Sequence, residues 1–108
     1  MIRWRRPLYI DESIKESPAG IRYRFKFKKY PGDYYFIILP AGRDMPEIIR
    51  CIYLKQSWYK SVDYDILGVA SGKNKAFELF EKMAADAYQA TGDVNIRRFA
   101  DMNQKKAF

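Results

Sequence analysis

Residues 21–29 read IRYRFKFKK, and the fold turns on how they are taken. Ile21, Tyr23, Phe25 and Phe27 alternate with Arg22, Arg24, Lys26 and Lys28. Successive side chains of a strand point to opposite faces, so a period of two predicts a strand with aromatics inward and four cations outward. Pro31-Gly32-Asp33 supplies a turn, and the apolar run from Tyr34 to Leu39 supplies a second strand, giving a hairpin over 21–39. Upstream, Ser17-Pro18-Ala19-Gly20 reads as a loop, and Pro7–Ile10 as a short strand ended by Asp11-Glu12-Ser13.

Downstream, Asp44-Met45-Pro46-Glu47 has the order of a capping box, with proline tolerated in the first turn. It predicts a helix over 45–59 that buries Ile48, Ile49 and Ile52, although these residues also favour strands. Residues 65–70 read as a strand. Ala76, Phe77, Phe80, Met83, Ala84, Ala87 and Tyr88 recur at helical spacing, which predicts a helix over 73–90 stopped by Gly92. A last short helix over 95–103 would turn Ile96, Phe99 and Met102 inward and Arg97 and Arg98 outward, leaving 105–108 as a tail. The expected fold is α+β, a single domain over 1–104. It has a mixed four-stranded sheet in the order β-β-β-α-β-α plus a short helix, with helices on one face. The span 34–70 would be a right-handed β-α-β unit with its two strands parallel.

With 108 residues, 48% of them hydrophobic, the chain has material for one core, and 31% charged residues argue against disorder. Cys51 is the single cysteine, so no internal disulfide can form, and no apolar run reaches membrane-spanning length. These features lead us to expect a cytoplasmic protein without membrane contact. Histidine is absent, which removes the commonest general base and metal ligand and any Ser-His or Cys-His nucleophile pair. We therefore expect a non-enzyme with no cofactor and no metal.

The net charge of +7 is uneven: residues 1–30 hold nine Lys or Arg against three Asp or Glu. Clustered positive charge suggests a polyanionic partner. The leading expectation is a non-catalytic binding module contacting nucleic-acid phosphates. Its surface would combine Arg3, Arg5 and Arg6, the strand cations Arg22, Arg24, Lys26 and Lys28, and Lys73 with Lys75. A solvated, charge-protected edge strand would look the same in sequence. The alternative is a protein-binding accessory factor or inhibitor, perhaps a homodimer, using Trp4, Tyr35, Trp58, Tyr59 and Tyr64, since such residues favour interfaces.

Residues 68–77, GVASGKNKAF, come close to a phosphate-binding loop but fail on spacing. A Walker A motif needs four residues between its glycines and a Ser or Thr after its lysine; here there are three, and Asn74 follows Lys73. The simpler expectation is a strand-to-helix turn capped by Ser71, with Lys73 and Lys75 beside the first-turn amides. Ser71, Lys73, Lys75, Ala76, Ala84 and Ala85 also loosely resemble the end of a double-stranded-RNA-binding domain, which implies phosphate contacts for the two lysines. That family runs α-β-β-β-α, unlike the order expected here. Asp11, closing Tyr9-Ile10-Asp11, resembles the first metal-binding aspartate of PIN-type nucleases, and Asp63, Asp65 and Asp86 could complete a Mg²⁺ site; this third reading is the weakest. Taken whole, LYIDES (8–13), YYFIILP (34–40), WYK (58–60), ILGVASG (66–72) and ATGDVNIRRF (90–99) are similar to a family of small uncharacterised proteins of Gram-positive bacteria, which implies no particular activity.

Overall fold

The computed structural model describes residues 2–26, 33–55 and 62–106, apart from the side chains of 6, 7, 55 and 103–106. In chain order the elements are strand β1 (Ile2–Ile10), helix α1 (Pro18–Lys26), strands β2 (Tyr34–Pro40) and β3 (Glu47–Arg50), a 3-10 turn (Cys51–Lys55), strand β4 (Tyr64–Ser71), and helices α2 (Lys73–Thr91) and α3 (Ile96–Lys106). The strands form one mixed sheet in the order β1-β4-β2-β3. β1 runs parallel to β4, while β2 is antiparallel to both β4 and β3. The fold is α+β.

Residues 18–26 are helical, not a strand. Ser17 and Pro18 begin the helix: Ser17 Oγ accepts a hydrogen bond from the Gly20 amide at 3.1 Å, and proline takes the first helical position. The alternation that suggests a strand also puts Ile21 and Phe25 four residues apart, on one helical face. Ile21 is buried, and the Phe25 ring meets Trp4 and Phe36 edge-on at centroid distances of 5.4 and 5.5 Å. Tyr23, expected inside, is 66% exposed. There is thus a helix where the first hairpin strand was expected; Phe27, Lys28 and the Pro31 turn lie outside the described residues.

The expected helix over 45–59 is also replaced. Residues 47–50 pair with β2, placing Ile49 opposite Phe36 and Ile48 opposite Ile37, and the 3-10 turn follows. Two β-branched residues with a buried strand waiting beside them gain more from pairing than from a capped helix turn. β2 and β3 are therefore the hairpin. β4 returns antiparallel to β2, so the span 34–70 is not a parallel β-α-β unit.

Helices cover both faces of the sheet, not one. Phe36, Ile38, Ile66 and Val69 pack with Ile21 of α1 and with Cys51 and Leu54 of the 3-10 turn. Ile37, Leu39, Leu67 and Ala70 pack on the other face with Ala76, Leu79, Met83 and Ala87 of α2 and Ile96 and Phe99 of α3. β2 and β4 are central strands buried on both sides, which explains their near-continuous apolar runs. β4 is bulged: Ile37 pairs with Gly68 and Ile38 with Ile66, leaving Leu67 extra. A Cβ on Gly68 would stand 3.1 Å from the Tyr9 carbonyl oxygen and 3.2 Å from Leu79 Cδ2, so glycine lets α2 and β1 close over the bulge. α2 ends where expected, at Gly92, whose φ of 74° lets its amide bond to the Tyr88 carbonyl. α3 continues through Lys106, into the residues expected to form a tail.

Candidate functional site

β1 is an edge strand of the sheet, and each of its ends carries a polar cluster. At its start, strand alternation sends Trp4 into the aromatic core and Arg3 and Arg5 to the opposite face. There they meet Asp65 of β4, which is only 5% exposed. Arg3 donates from Nε and Nη2 to the two carboxylate oxygens at 3.0 and 3.1 Å. Arg5, itself buried, donates to Oδ2 at 2.8 Å and reaches Asp101 of α3 at 2.8 Å. Burial pushes the Asp65 pKa up, but the hydrogen bonds and charges of Arg3 and Arg5 outweigh it and hold the carboxyl below the usual range.

At the other end, Asp11 follows the last residue of β1 and is buried. Its oxygens accept hydrogen bonds from the Ser13 amide at 3.0 Å, the Ser13 hydroxyl at 2.8 Å and the Ser71 amide at 3.0 Å. Burial raises its pKa, and these donors together with the charge of Lys75 bring it below the ordinary value. Ser71 does not cap α2. Its hydroxyl donates to Asp33 at 2.9 Å, and Gly72, with φ 100° and no side chain to offer, occupies the cap position. Lys73 and Lys75 are exposed in the first turn.

Between the two ends, Tyr9 donates to Asp86 of α2 at 2.6 Å, and burial, then this bond, raises the tyrosine pKa well above its usual value. Two adjoining cavities of about 230 and 390 Å³ share Ile10, Leu79 and Lys82 along the line where α2 meets the last residues of β1. Lys75 lines the first of them, together with Asp11, Glu12 and Glu78. Arg3, Lys82 and Lys75 therefore succeed one another along the β1 edge on the side covered by α2 and α3.

Only part of the expected basic surface is assembled here. Arg3 keeps its side chain 60% exposed while pairing with Asp65, whereas Arg5 is buried and unavailable to a partner. Arg22, Arg24 and Lys26 sit on α1, against the opposite face, so these three form no cationic sheet face. Arg24 pairs with Glu16 at 2.7 Å. The Arg6 side chain and Lys28 lie outside the described residues. Lys82, outside the expected basic surface, lies seven residues beyond Lys75; that helical interval is the signal that places both on one flank of α2.

The expected interface aromatics are mostly core. Tyr64 is buried, Trp4 packs against Phe25 and Phe36, and Tyr35 is half-buried against the core on the α2 side. Trp58 and Tyr59 lie outside the described residues. Large side chains that do face solvent include Phe77, 47% exposed, and Tyr88, 61% exposed, both expected inside. The four aspartates considered for a metal are separated: Asp65 and Asp11 stand at opposite ends of the β1–β4 pair, Asp86 is bonded to Tyr9, and Asp63 lines a cavity beside Asp65. Among the described residues no three acidic or cysteine side chains gather to hold a metal ion, and no helix is long and apolar enough to cross a membrane.

Comparison with protein-family models, with characterised proteins and with solved structures gave no match to this chain.

Proposed function

We propose that this chain is a non-catalytic binding module that contacts nucleic-acid phosphates along its β1 edge. The observation that carries the reading is the succession Arg3, Lys82, Lys75, two elements contributing cations along one strand. Nine residues of strand extend at most about 30 Å at roughly 3.3 Å each, a length matched by eight or nine base pairs at about 3.4 Å. Burial adds to the imbalance: among the described residues Asp11 and Asp65 are withdrawn from the surface against one arginine, Arg5. Asp63, Asp86, Glu12 and Glu78 interrupt the row, which favours contact with spaced phosphates over a continuous polyanion groove.

Fluorescence anisotropy with a labelled mixed-sequence duplex tests the reading. Three phosphate contacts give a log–log salt slope of about −2.7, hence roughly a 40-fold loss of affinity between about 50 and 200 mM salt. Undetectable binding at the lower salt would end it.

A second reading rests on α2. Phe77 and Tyr88 are exposed on the flank that carries half-buried Phe80 and Ala84. In an antiparallel crossing with a second copy, Phe77 faces the partner's Tyr88 and the small Ala84 lies near the axis, so the stripe is self-complementary. Sedimentation velocity separates the readings: a dimer lost in Phe77→Glu favours this one, and a monomer at about 100 μM, far above a specific Kd, removes it.

A further inference from the structure

A cavity of about 260 Å³ opens at the end of the sheet where β1 begins, lined by Arg3, Gly42, Asp63, Tyr64, Asp65 and Arg97 among others. Arg97 belongs to the first turn of α3 and was expected to point outward. It turns instead toward the 40–43 loop, donating from Nε to the Arg43 carbonyl at 2.7 Å and from Nη2 to the Pro40 carbonyl at 3.0 Å. Arg3 is fixed in the same manner, by two hydrogen bonds to buried Asp65. Each guanidinium carries five N–H donors, and here each has two nitrogens committed. Nη1 of both has no acceptor among the described residues. Two immobilised forks facing one cavity have already lost the side-chain entropy that an exposed arginine must lose on binding.

We propose that Arg3 and Arg97 form a clamp for a single phosphate group. The inference rests on the phosphate-binding reading above and gives it one defined subsite. Three observations set the ligand class. The cavity is smaller than the roughly 300–1,000 Å³ of ordinary small-molecule sites, so it takes a phosphate group and not a whole nucleotide. Planar forks with parallel donors match the oxygens of phosphate. Asp65 is already neutralised by Arg3 and by Arg5 behind it, so its negative charge does not dominate the cavity. Asp63 also lines the cavity, on its exposed rim. The phosphate is either a nucleic-acid backbone group or that of a free phosphorylated molecule.

The test is an amide-resolved NMR titration of the full chain with inorganic phosphate at constant ionic strength, chloride serving as control. The expected result is saturable shifts confined to residues 3, 41–43, 63–65 and 97, with a dissociation constant in the millimolar range, on the order of 1–10 mM. Arg97→Gln should weaken binding at least tenfold, as should Arg3→Gln, which leaves Asp65 its bond to Arg5 and so keeps the fold. No saturation by about 50 mM phosphate, or saturation unaltered in both arginine variants, overturns the clamp. Adding the duplex then separates the sources: displacement of phosphate assigns the clamp to nucleic-acid backbone, and phosphate retained beside bound duplex assigns it to a free phosphorylated ligand. If the duplex fails to bind while phosphate still saturates the site, the clamp stands and the nucleic-acid reading falls.

Discussion

Replacing Asp65 by alanine should be among the most damaging single changes in the β1–β4 pair. Asp65 is 5% exposed and accepts hydrogen bonds from two arginines, one of them as buried as itself. Removing one partner of a buried ion pair costs about 3–5 kcal/mol, mainly because the remaining charge stays desolvated. Arg5 keeps Asp101, half-exposed at 2.8 Å, so the loss should lie near the lower bound, about 3 kcal/mol. A chain of this size has about 5–15 kcal/mol in total, and each kcal/mol moves the midpoint by roughly 4 °C or more, so Tm should fall by about 12 °C or more. Urea denaturation followed by far-ultraviolet circular dichroism gives the free energy directly, provided the m-value is unchanged. Arg3→Ala is the control: its side chain is 60% exposed, and an exposed pair contributes about 1 kcal/mol or less. A cost below about 1 kcal/mol for Asp65→Ala, equal to that of Arg3→Ala, would refute the claim that burial makes this network matter.

Gly68→Ala should destabilise by about 1–3 kcal/mol, because its methyl would press on the Tyr9 backbone and on Leu79; an unchanged urea midpoint would contradict the packing described at the bulge. Asp11 and Asp65 both have folded-state pKa values below the unfolded ones, so their contribution is present above about pH 4 and disappears as pH falls through the folded values. Thermal melts should therefore fall steeply only below about pH 4, and Asp65→Asn should flatten that decline. Tyr34, buried and donating to Glu16 at 2.9 Å, has its pKa pushed up to about 12. Its contribution is complete below about pH 10 and is lost as pH rises through the folded value, so the folded chain and folded Tyr34→Phe should show equal tyrosinate absorbance near pH 10, and a smaller signal in the variant there would contradict the shift.

How much of this was legible in the sequence follows from which residues have one dominant environment. The apolar stripe of α2 and the glycine after it have one reading, because a long helix with a single buried flank leaves little choice. The β4 run and the overall α+β class were legible for the same reason. Residues 21–26 were not, because Ile21 and Phe25 satisfy both a period of two and a helical step of four. The deciding clue is the Ser17-Pro18 start signal, which a loop shares. At 44–50 the error ran the other way: the Asp44–Glu47 cap pattern is local, while the pairing of Ile48 and Ile49 with β2 is tertiary and outweighs it. Of the site, Lys73 and Lys75 were placed correctly at the head of α2. The burial of Arg5 could not be foreseen, since it depends on Asp65 arriving from 60 residues away.

If phosphates lie along the β1 edge, removing its lysines must change the salt dependence of duplex binding. Lys75→Ala and Lys82→Ala should each reduce the log–log salt slope by about 0.9, and the double variant by about 1.8. Arg50→Ala, on the opposite edge of the sheet in β3, should leave the slope unchanged. A slope that falls with Arg50 and not with the two lysines would contradict the assignment of the edge.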